Sequence, residues 1–190
     1  MMAGTMTERQ RLIRLLAERS IKRGQFTLAS GRVTDLYIDA RMTTMSPEGL
    51  ALIGPLAIKA MNDAGWTVNA VGGLTLGADP VAYSISNASN LRPPLLQAFT
   101  VRKETKTHGI GKLIEGPFQQ GDHVVIVEDV ITTGSSALHA ISAVRSAGGY
   151  IEGVLTVVDR QDGGRETIER EGYHVISLVQ LAEITELVPP

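Results

Sequence analysis

Two adjacent acids, Glu128 and Asp129, follow an apolar run at residues 124–127. The run has the β-branched content and the length of a buried strand, so the acids should lie at its carboxyl end, where open α/β sheets bind ligands. Carboxylates there would accept hydrogen bonds from sugar hydroxyls or hold a hydrated Mg²⁺. An ordinary strand-to-helix connection with solvated acids is the alternative.

The residues that come next are rich in hydroxyl groups and include Gly134. The glycine would let the main chain approach a ligand closely. A helix expected to begin here would also turn unpaired N–H groups and the positive end of its dipole toward an anion. The stretch has neither the spacing of a Walker A loop nor that of a Rossmann glycine turn. Acids followed by an anion-binding turn predict a site for a sugar that carries a phosphate.

A second segment, residues 102–112, carries four Lys or Arg residues and one His. Its two glycines and few apolar residues predict a mobile loop. Its positive charge suits a pyrophosphate leaving group, whose negative charge grows as its bond to the sugar breaks, and His108 could donate a proton or hydrogen bond to that group. A solvated charged hairpin is the alternative.

Four stretches of the chain resemble a known family. Residues 127–135 resemble the phosphoribosyl-pyrophosphate (PRPP) binding motif of type I phosphoribosyltransferases, and Arg-Lys-Glu-x-Lys-x-His-Gly at 102–109 resembles the catalytic loop of the orotate members. Residues 26–32 with 37–39 resemble the N-terminal hood motif of those members, and residues 159–161 their segment after the fourth core strand. The resemblance implies transfer of the 5-phosphoribosyl group from PRPP to N1 of orotate, giving orotidine 5′-monophosphate and pyrophosphate in pyrimidine (UMP) biosynthesis.

The resemblance also implies a fold and an assembly. The fold would be α/β, of the type I phosphoribosyltransferase kind, with a central, mostly parallel sheet flanked by helices. Residues 1–190 would form one domain, in which about 1–45 and the C-terminal segment form or contact a small hood. A homodimer is implied, because in this family the loop that corresponds to residues 102–112, called the cationic loop below, reaches the neighbouring subunit's site. Mg²⁺ would be carried by PRPP and lie near the acid pair without a direct protein site.

The family's functional residues carry over to matching positions. Those expected to contact PRPP are Arg102, Lys103, Lys106, His108, Glu128, Asp129, Val130, Ile131, Thr132, Thr133, Gly134, Ser135 and Ser136. The catalytic ones among them are Lys106, His108, Arg102 and Lys103. Those expected to contact orotate are Thr132, Arg160, Tyr37 and Ile38. Arg160 would offer a planar, permanently charged fork to the carboxylate that distinguishes orotate from uracil. Apart from the resemblance, an ion pair with Asp159 is the alternative.

Two positions depart from the family pattern. Many members carry Lys where Ala29 stands, and another near Leu76. Either backbone N–H groups around residues 74–77 together with Lys112 replace those cations, or the chain binds PRPP less tightly.

The elements that would position these residues alternate between helix and strand. A capping box at Thr7 and Gln10 starts the first helix, and Ser46 with Pro47 starts the second. Strands are predicted at residues 68–71, 95–101, 124–127, 151–158 and 174–179, with helices from residue 79, at 134–148 and at 165–171. This alternation predicts a parallel sheet with helices on its faces, and residues 25–44 are expected to form a hood over its carboxyl edge.

Composition narrows the class of partner. The 190 residues, 43% hydrophobic, suffice for one α/β domain, and a net charge of −2 without a Lys/Arg block gives no footprint for nucleic acid. With no cysteine, disulfides, thiolate zinc sites and cysteine nucleophiles are excluded. No stretch has the apolar length of a signal peptide or a membrane span, so a cytoplasmic protein without a membrane partner is expected.

Other interpretations stay open at this level. An enzyme for uracil or a purine is one, although the basic loop and Arg160 disfavour it. Another is a non-catalytic, PRPP-sensing regulator that binds nucleic acid, which should display a coherent basic face outside the site. The remaining histidines, His123, His139 and His174, lack metal-ligand spacing and are expected to be structural or on the surface.

Overall fold

The computed structural model describes residues 6–27, 33–91, 93–104 and 113–188. The helices in these ranges are α1 (Glu8–Arg19), α2 (Arg41–Thr44), α3 (Pro47–Asp63), α4 (Ala78–Ser89), α5 (Ser135–Ser146), α6 (Gly164–Arg170) and α7 (Leu181–Thr185). The strands are β1 (Ile21–Thr27), β2 (Val33–Ile38), β3 (Ala70–Leu74), β4 (Gln97–Val101), β5 (Ile114–Glu115), β6 (His123–Ile131), β7 (Tyr150–Asp159) and β8 (Val175–Gln180).

The central sheet has the strand order β5-β4-β3-β6-β7-β8. β5 pairs antiparallel with β4, and the other neighbouring strands are parallel. Parallel neighbours need crossover connections, which α4, α5 and α6 supply. The predicted α/β class with a mostly parallel sheet is confirmed. The loops after β3, β4, β6 and β7 therefore all leave the sheet at one edge, the edge where the acid pair lies.

The sheet is buried on both faces. Helices α1, α3, α4 and α7 supply the apolar residues of one cluster, and α5 and α6 those of the other. Consecutive residues of β6 enter opposite clusters, Val125 and Val127 the first, Val124 and Ile126 the second. Burial on both faces explains why this strand is a continuous apolar run in the sequence.

The predicted helix starts are confirmed. Thr7 Oγ1 accepts a hydrogen bond from the Gln10 backbone N–H at 3.2 Å, and Gln10 Oε1 accepts one from the Thr7 N–H at 2.9 Å, which completes the capping box of α1. Ser46 Oγ accepts the Gly49 N–H at 3.1 Å at the start of α3. Both helices then direct apolar residues into the core.

Several element boundaries differ from prediction. β6 includes the acid pair and runs on to Ile131, because β7 continues to pair with it as far as Asp159. β3 begins at Ala70, two residues later than predicted. The short elements α2, β5 and α7 were not predicted, since segments of two to five residues carry little periodic signal.

A small N-terminal unit accompanies the sheet. β1 and β2 form a two-stranded antiparallel sheet, and α2 follows β2. The Asp39 N–H donates to the Ser20 carbonyl at 2.8 Å, and Arg23 Nη2 donates to the Val188 carbonyl at 3.2 Å. None of the helices in the described ranges has the length and apolarity needed to cross a bilayer.

Candidate active site

The turn between β6 and α5 forms a small concave surface. Gly134 has φ +81°, in the left-handed region that favours glycine, and a Cβ there would lie 2.8 Å from the Gly164 carbonyl oxygen. Among the described residues no side chain caps α5, so no capping side chain satisfies its first N–H groups, and the first residues of α5 line this surface. This surface is lined by most of the residues that were predicted to contact PRPP in this region. They are Glu128, Val130, Ile131, Thr132, Thr133, Gly134, Ser135 and Ser136.

The acid pair is largely withdrawn from solvent. Glu128 is 5% exposed, and burial, reinforced by the negative charge of Asp129, raises the pKa of Glu128 to about 8. Within the described part of the chain, no group hydrogen-bonds Glu128 Oε1. A protonated carboxyl at this position can donate as well as accept a hydrogen bond, which suits a sugar hydroxyl.

Asp129 has a more polar setting. Burial raises its pKa, while the Val130 N–H, which donates to Asp129 Oδ1 at 2.9 Å, and the positive charge of Arg41 oppose that shift. Arg41 itself pairs with Asp39, with Nε 2.8 Å from Oδ1 and Nη2 3.1 Å from Oδ2. Sequence reasoning missed Arg41, because only folding of the N-terminal unit brings it within electrostatic range of the acid pair.

The predicted base-pocket residues on β2 differ in exposure. The Tyr37 ring is half-buried and lies 5.4 Å from the Phe26 ring, centroid to centroid. Ile38 is 8% exposed and packs in the core cluster with α1 and α3. Its side chain is committed to the core, which leaves its backbone as the group able to face a base.

The turn after β3, residues 75–77, packs against the acid pair. A Cβ at Gly77 would collide with Asp129 Oδ1, so a larger residue here would force the Asp129 carboxylate to move. Thr75 Oγ1 donates to Asp79 Oδ2 at 2.7 Å, and the Thr75 N–H donates to the Val101 carbonyl at 2.9 Å. Leu76 is 62% exposed.

The base of the cationic loop adjoins the same edge. The Arg102 N–H donates to the Leu113 carbonyl at 2.8 Å, and Arg102 Nη1 lies 3.5 Å from Glu115 Oε1. Lys103 is exposed. The predicted catalytic residues Lys106 and His108 lie outside the described residues.

Arg160 follows β7 and lies beside the turn between β6 and α5. Its N–H donates to the Ile131 carbonyl at 3.1 Å, which places it next to Thr132. Its side chain is 11% exposed and its Nε lies 2.9 Å from Asp162 Oδ2. The alternative ion pair with Asp159 is wrong, because Asp159 Oδ2 instead accepts from Arg165 Nε at 2.9 Å.

Two of the other histidines, His123 and His174, lie at the opposite ends of the strands. His123 Nδ1 is 2.6 Å from Glu152 Oε1, and its ring lies 5.1 Å from that of Tyr150 at the amino ends of β6 and β7. The His174 ring contacts Trp66 edge to face. These contacts confirm structural or surface roles for both. Across the described ranges, no cluster of three or more histidine or carboxylate side chains is arranged to hold a metal ion.

Comparison with known proteins tests the resemblance directly. No protein-family model matches the chain. The orotate phosphoribosyltransferase of Aquifex aeolicus (strain VF5) is 44% identical over 182 residues, which cover 94% of this chain and 98% of the relative. That of Mycobacterium avium (strain 104) is 47% identical over 177 residues, covering 93% and 96%. Among solved structures, the crystal structure of Mycobacterium tuberculosis H37Rv orotate phosphoribosyltransferase in complex with PRPP is 42% identical in sequence. The match covers 94% of this chain and 99% of the M. tuberculosis chain, with a TM-score of 0.81.

These similarities extend over nearly the whole chain and agree with the fold and with the acid-pair turn at the sheet edge. The chain therefore belongs to the orotate phosphoribosyltransferase family, the pentosyltransferases that make orotidine 5′-monophosphate from PRPP and orotate in pyrimidine biosynthesis.

Proposed function

We propose that the turn between β6 and α5 holds the ribose 5-phosphate of PRPP. The N–H groups at the start of α5 and the hydroxyls of Thr132, Thr133, Ser135 and Ser136 would bind the phosphate. Glu128 and Asp129 would contact the ribose hydroxyls, since Glu128 Oε1 lacks a hydrogen-bond partner among the described residues and the Glu128 carboxyl can act as donor or acceptor. The juxtaposition of acid pair, turn and helix start is the observation that carries this proposal.

Orotate would lie between this turn and the N-terminal unit. Thr132 and Arg160 are brought together because the Arg160 N–H bonds to Ile131, the residue before Thr132. The guanidinium of Arg160 would face the orotate carboxylate, with Asp162 holding it through Nε. Tyr37 and the backbone of Ile38 would line the other side of the base.

The chemical step would be direct transfer without a covalent enzyme intermediate. The bond from C1 of the ribose to the pyrophosphate oxygen breaks as the bond from C1 to orotate N1 forms, through a transition state with oxocarbenium character. Arg102, Lys103 and Lys106 would stabilise the negative charge that develops on the departing pyrophosphate, and His108 would donate a hydrogen bond or proton to it. Binding both substrates in one orientation would supply the remaining acceleration.

The proposed site also bears on where Mg²⁺ would lie, on how subunits would assemble and on where in the cell the protein would act. Carboxylate oxygens are ligands that Mg²⁺ prefers, so Asp129 and, once it ionises, Glu128 would lie near a hydrated ion carried by PRPP. The ion would neutralise diphosphate charge. A homodimer would let the cationic loop of one subunit complete the site of its partner. A cytoplasmic location suits phosphorylated substrates, which do not cross membranes unaided.

An assay of orotate plus PRPP, with and without Mg²⁺ and followed at the orotate absorbance band, tests the proposal. We expect orotate consumption that depends on PRPP and on Mg²⁺. Uracil and hypoxanthine serve as matched acceptors. Turnover of either in place of orotate would contradict the assignment of Arg160, and undetectable turnover with tight nucleic-acid binding would favour a regulator.

A further inference from the structure

Asp79, in the first turn of α4, accepts two hydroxyl hydrogen bonds. Thr75 Oγ1 donates to Oδ2 at 2.7 Å, and Thr100 Oγ1 donates to Oδ1 at 2.8 Å. Since the Thr100 proton points to Asp79, the Tyr83 hydroxyl, 3.2 Å from Thr100 Oγ1, must be the donor in that contact. One carboxylate thus joins the turn after β3 to the end of β4.

Both joined segments border the proposed donor site. The turn that contains Thr75 packs directly on the Asp129 carboxylate through Gly77. Thr100 pairs with Glu115 across the β4–β5 ladder, two residues before Arg102, where the cationic loop begins. A shift of Asp79 would therefore affect two segments at once. One is the turn that packs on Asp129, and the other is the root of the cationic loop at Arg102.

The turn needs such support because its own side chains offer no charge to a ligand. Residues 75–77 are Thr, Leu and Gly, so the turn would meet the donor's diphosphate mainly through backbone N–H groups. Backbone donors contribute to binding only when they are held in a fixed orientation, because ordering them on binding costs free energy. Hydrogen bonds to a carboxylate are among the stronger ones available for this purpose.

We propose that Asp79 is a positioning residue for PRPP, which orients the turn at residues 75–77 and the root of the cationic loop through Thr75 and Thr100. The inference rests on the proposed placement of PRPP at this edge. Asp79 itself would contact neither substrate.

The test compares Asp79→Ala, Asp79→Asn and Thr75→Val with a control in the same helix. Ser84 Oγ donates to the Leu50 carbonyl at 2.7 Å and ties α4 to α3, away from the site, so Ser84→Ala removes a comparable hydrogen bond. For each full-length variant, calorimetry gives the PRPP dissociation constant without orotate, steady-state kinetics give kcat and both KM values, and thermal melting gives stability.

We expect Asp79→Ala to raise the PRPP dissociation constant about tenfold, comparable to the loss of one hydrogen bond to a charged group, with the orotate KM changed less than about twofold. Thr75→Val should reproduce part of the effect, Thr75→Ser should restore binding, and adding Thr75→Val to Asp79→Ala should change little further. Asp79→Asn, which keeps the size and one acceptor, should lie between. Ser84→Ala should lower the melting temperature and leave PRPP binding unchanged.

Unchanged PRPP binding in Asp79→Ala or Thr75→Val would overturn the inference, as would equal losses for both substrates or for the Ser84 control. Arg102→Ala and Ser135→Ala separate this failure from that of the donor site itself. If those variants weaken PRPP binding and the Asp79 variants do not, only the positioning role fails. If none does, the placement of PRPP is wrong.

Discussion

In the proposed site, Arg160 is the side chain that would select the base. Its guanidinium is mostly buried and oriented by Asp162, so removing it would leave the orotate carboxylate without its charged partner. We expect Arg160→Ala to raise the orotate KM by about 30- to 100-fold, the effect of losing a hydrogen bond to a charged group, while the PRPP dissociation constant changes little. Steady-state kinetics with both substrates varied measure this. Arg170→Ala, on the exposed face of α6, is the control. An unaltered orotate KM would remove Arg160 from the base site.

Glu128 should make stability depend on pH. The pKa rises from 4.5 to about 8 on folding, so between these values the folded state keeps a proton that the unfolded state has lost. The contribution of Glu128 to the free energy of unfolding is therefore most favourable below about pH 4.5. It falls as pH rises toward 8, by at most about 1.4 kcal/mol per pH unit. Glu128→Gln, neutral at every pH, should be more stable than the parent at pH 8 and similar near pH 5. Urea unfolding at both values checks this, with the exposed Glu18→Gln as control; a variant that loses stability at pH 8 would contradict the shift.

Lys106 is assigned to the leaving group and not to the base. A cation that acts on charge developing in the transition state affects kcat more than ground-state binding. We expect Lys106→Ala to lower kcat by about 100-fold or more, while orotate binding changes only severalfold. Rapid-mix kinetics and orotate titration measure the two quantities. Near-normal turnover would eliminate the assigned role.

At the scale of elements, the turn from β6 into α5 depends on the backbone of Gly134. Its φ of +81° and the nearby Gly164 carbonyl leave no room for a Cβ. We expect Gly134→Ala to destabilise the fold by about 1–3 kcal/mol and to raise the PRPP dissociation constant, because the start of α5 must shift. Gly172→Ala has a similar φ of +88°, but no described atom lies within 4 Å of its Cβ. That control should lose only the stability that a positive φ costs an alanine, and it should bind PRPP normally. If Gly172→Ala weakened PRPP binding as much as Gly134→Ala, the turn would have no specific role in binding PRPP.

At the scale of the whole molecule, a site shared between subunits predicts complementation. Lys106→Ala and Arg160→Ala should each be nearly inactive alone when orotate is kept at or below the parental KM, since the first lowers kcat and the second raises the orotate KM. If the loop of one subunit completes the site of its partner, a mixed dimer holds one intact site, so randomly remixed subunits should regain about a quarter of parental activity. Remixing through mild dissociation followed by assay measures this recovery. No recovery, although mixed dimers are demonstrated by mass, would show that each chain completes its own site.

Much of this architecture is readable from local pattern. The capping box of α1, the N-cap of α3, the alternation of strands and helices and the acid-pair turn all depend on residues close together in the chain. Their preferences for dihedral angles and burial hold before tertiary contacts form. Short elements such as α2 and β5 were missed because they exist only through their neighbours in the fold.

The sequence by itself determined that a buried strand carries an acid pair at its carboxyl end and leads into a glycine turn, and this pattern with the basic segment at 102–112 predicted a phosphosugar site. The tertiary structure decided which distant groups lie at that turn. It brought the charge of Arg41 near Asp129, joined Thr75 and Thr100 through Asp79, and paired Arg160 with Asp162 in place of its neighbour Asp159. The reason is physical: these contacts join separate loops at one sheet edge, and their geometry is set by the packing of parallel strands and crossover helices, which local sequence preferences do not encode.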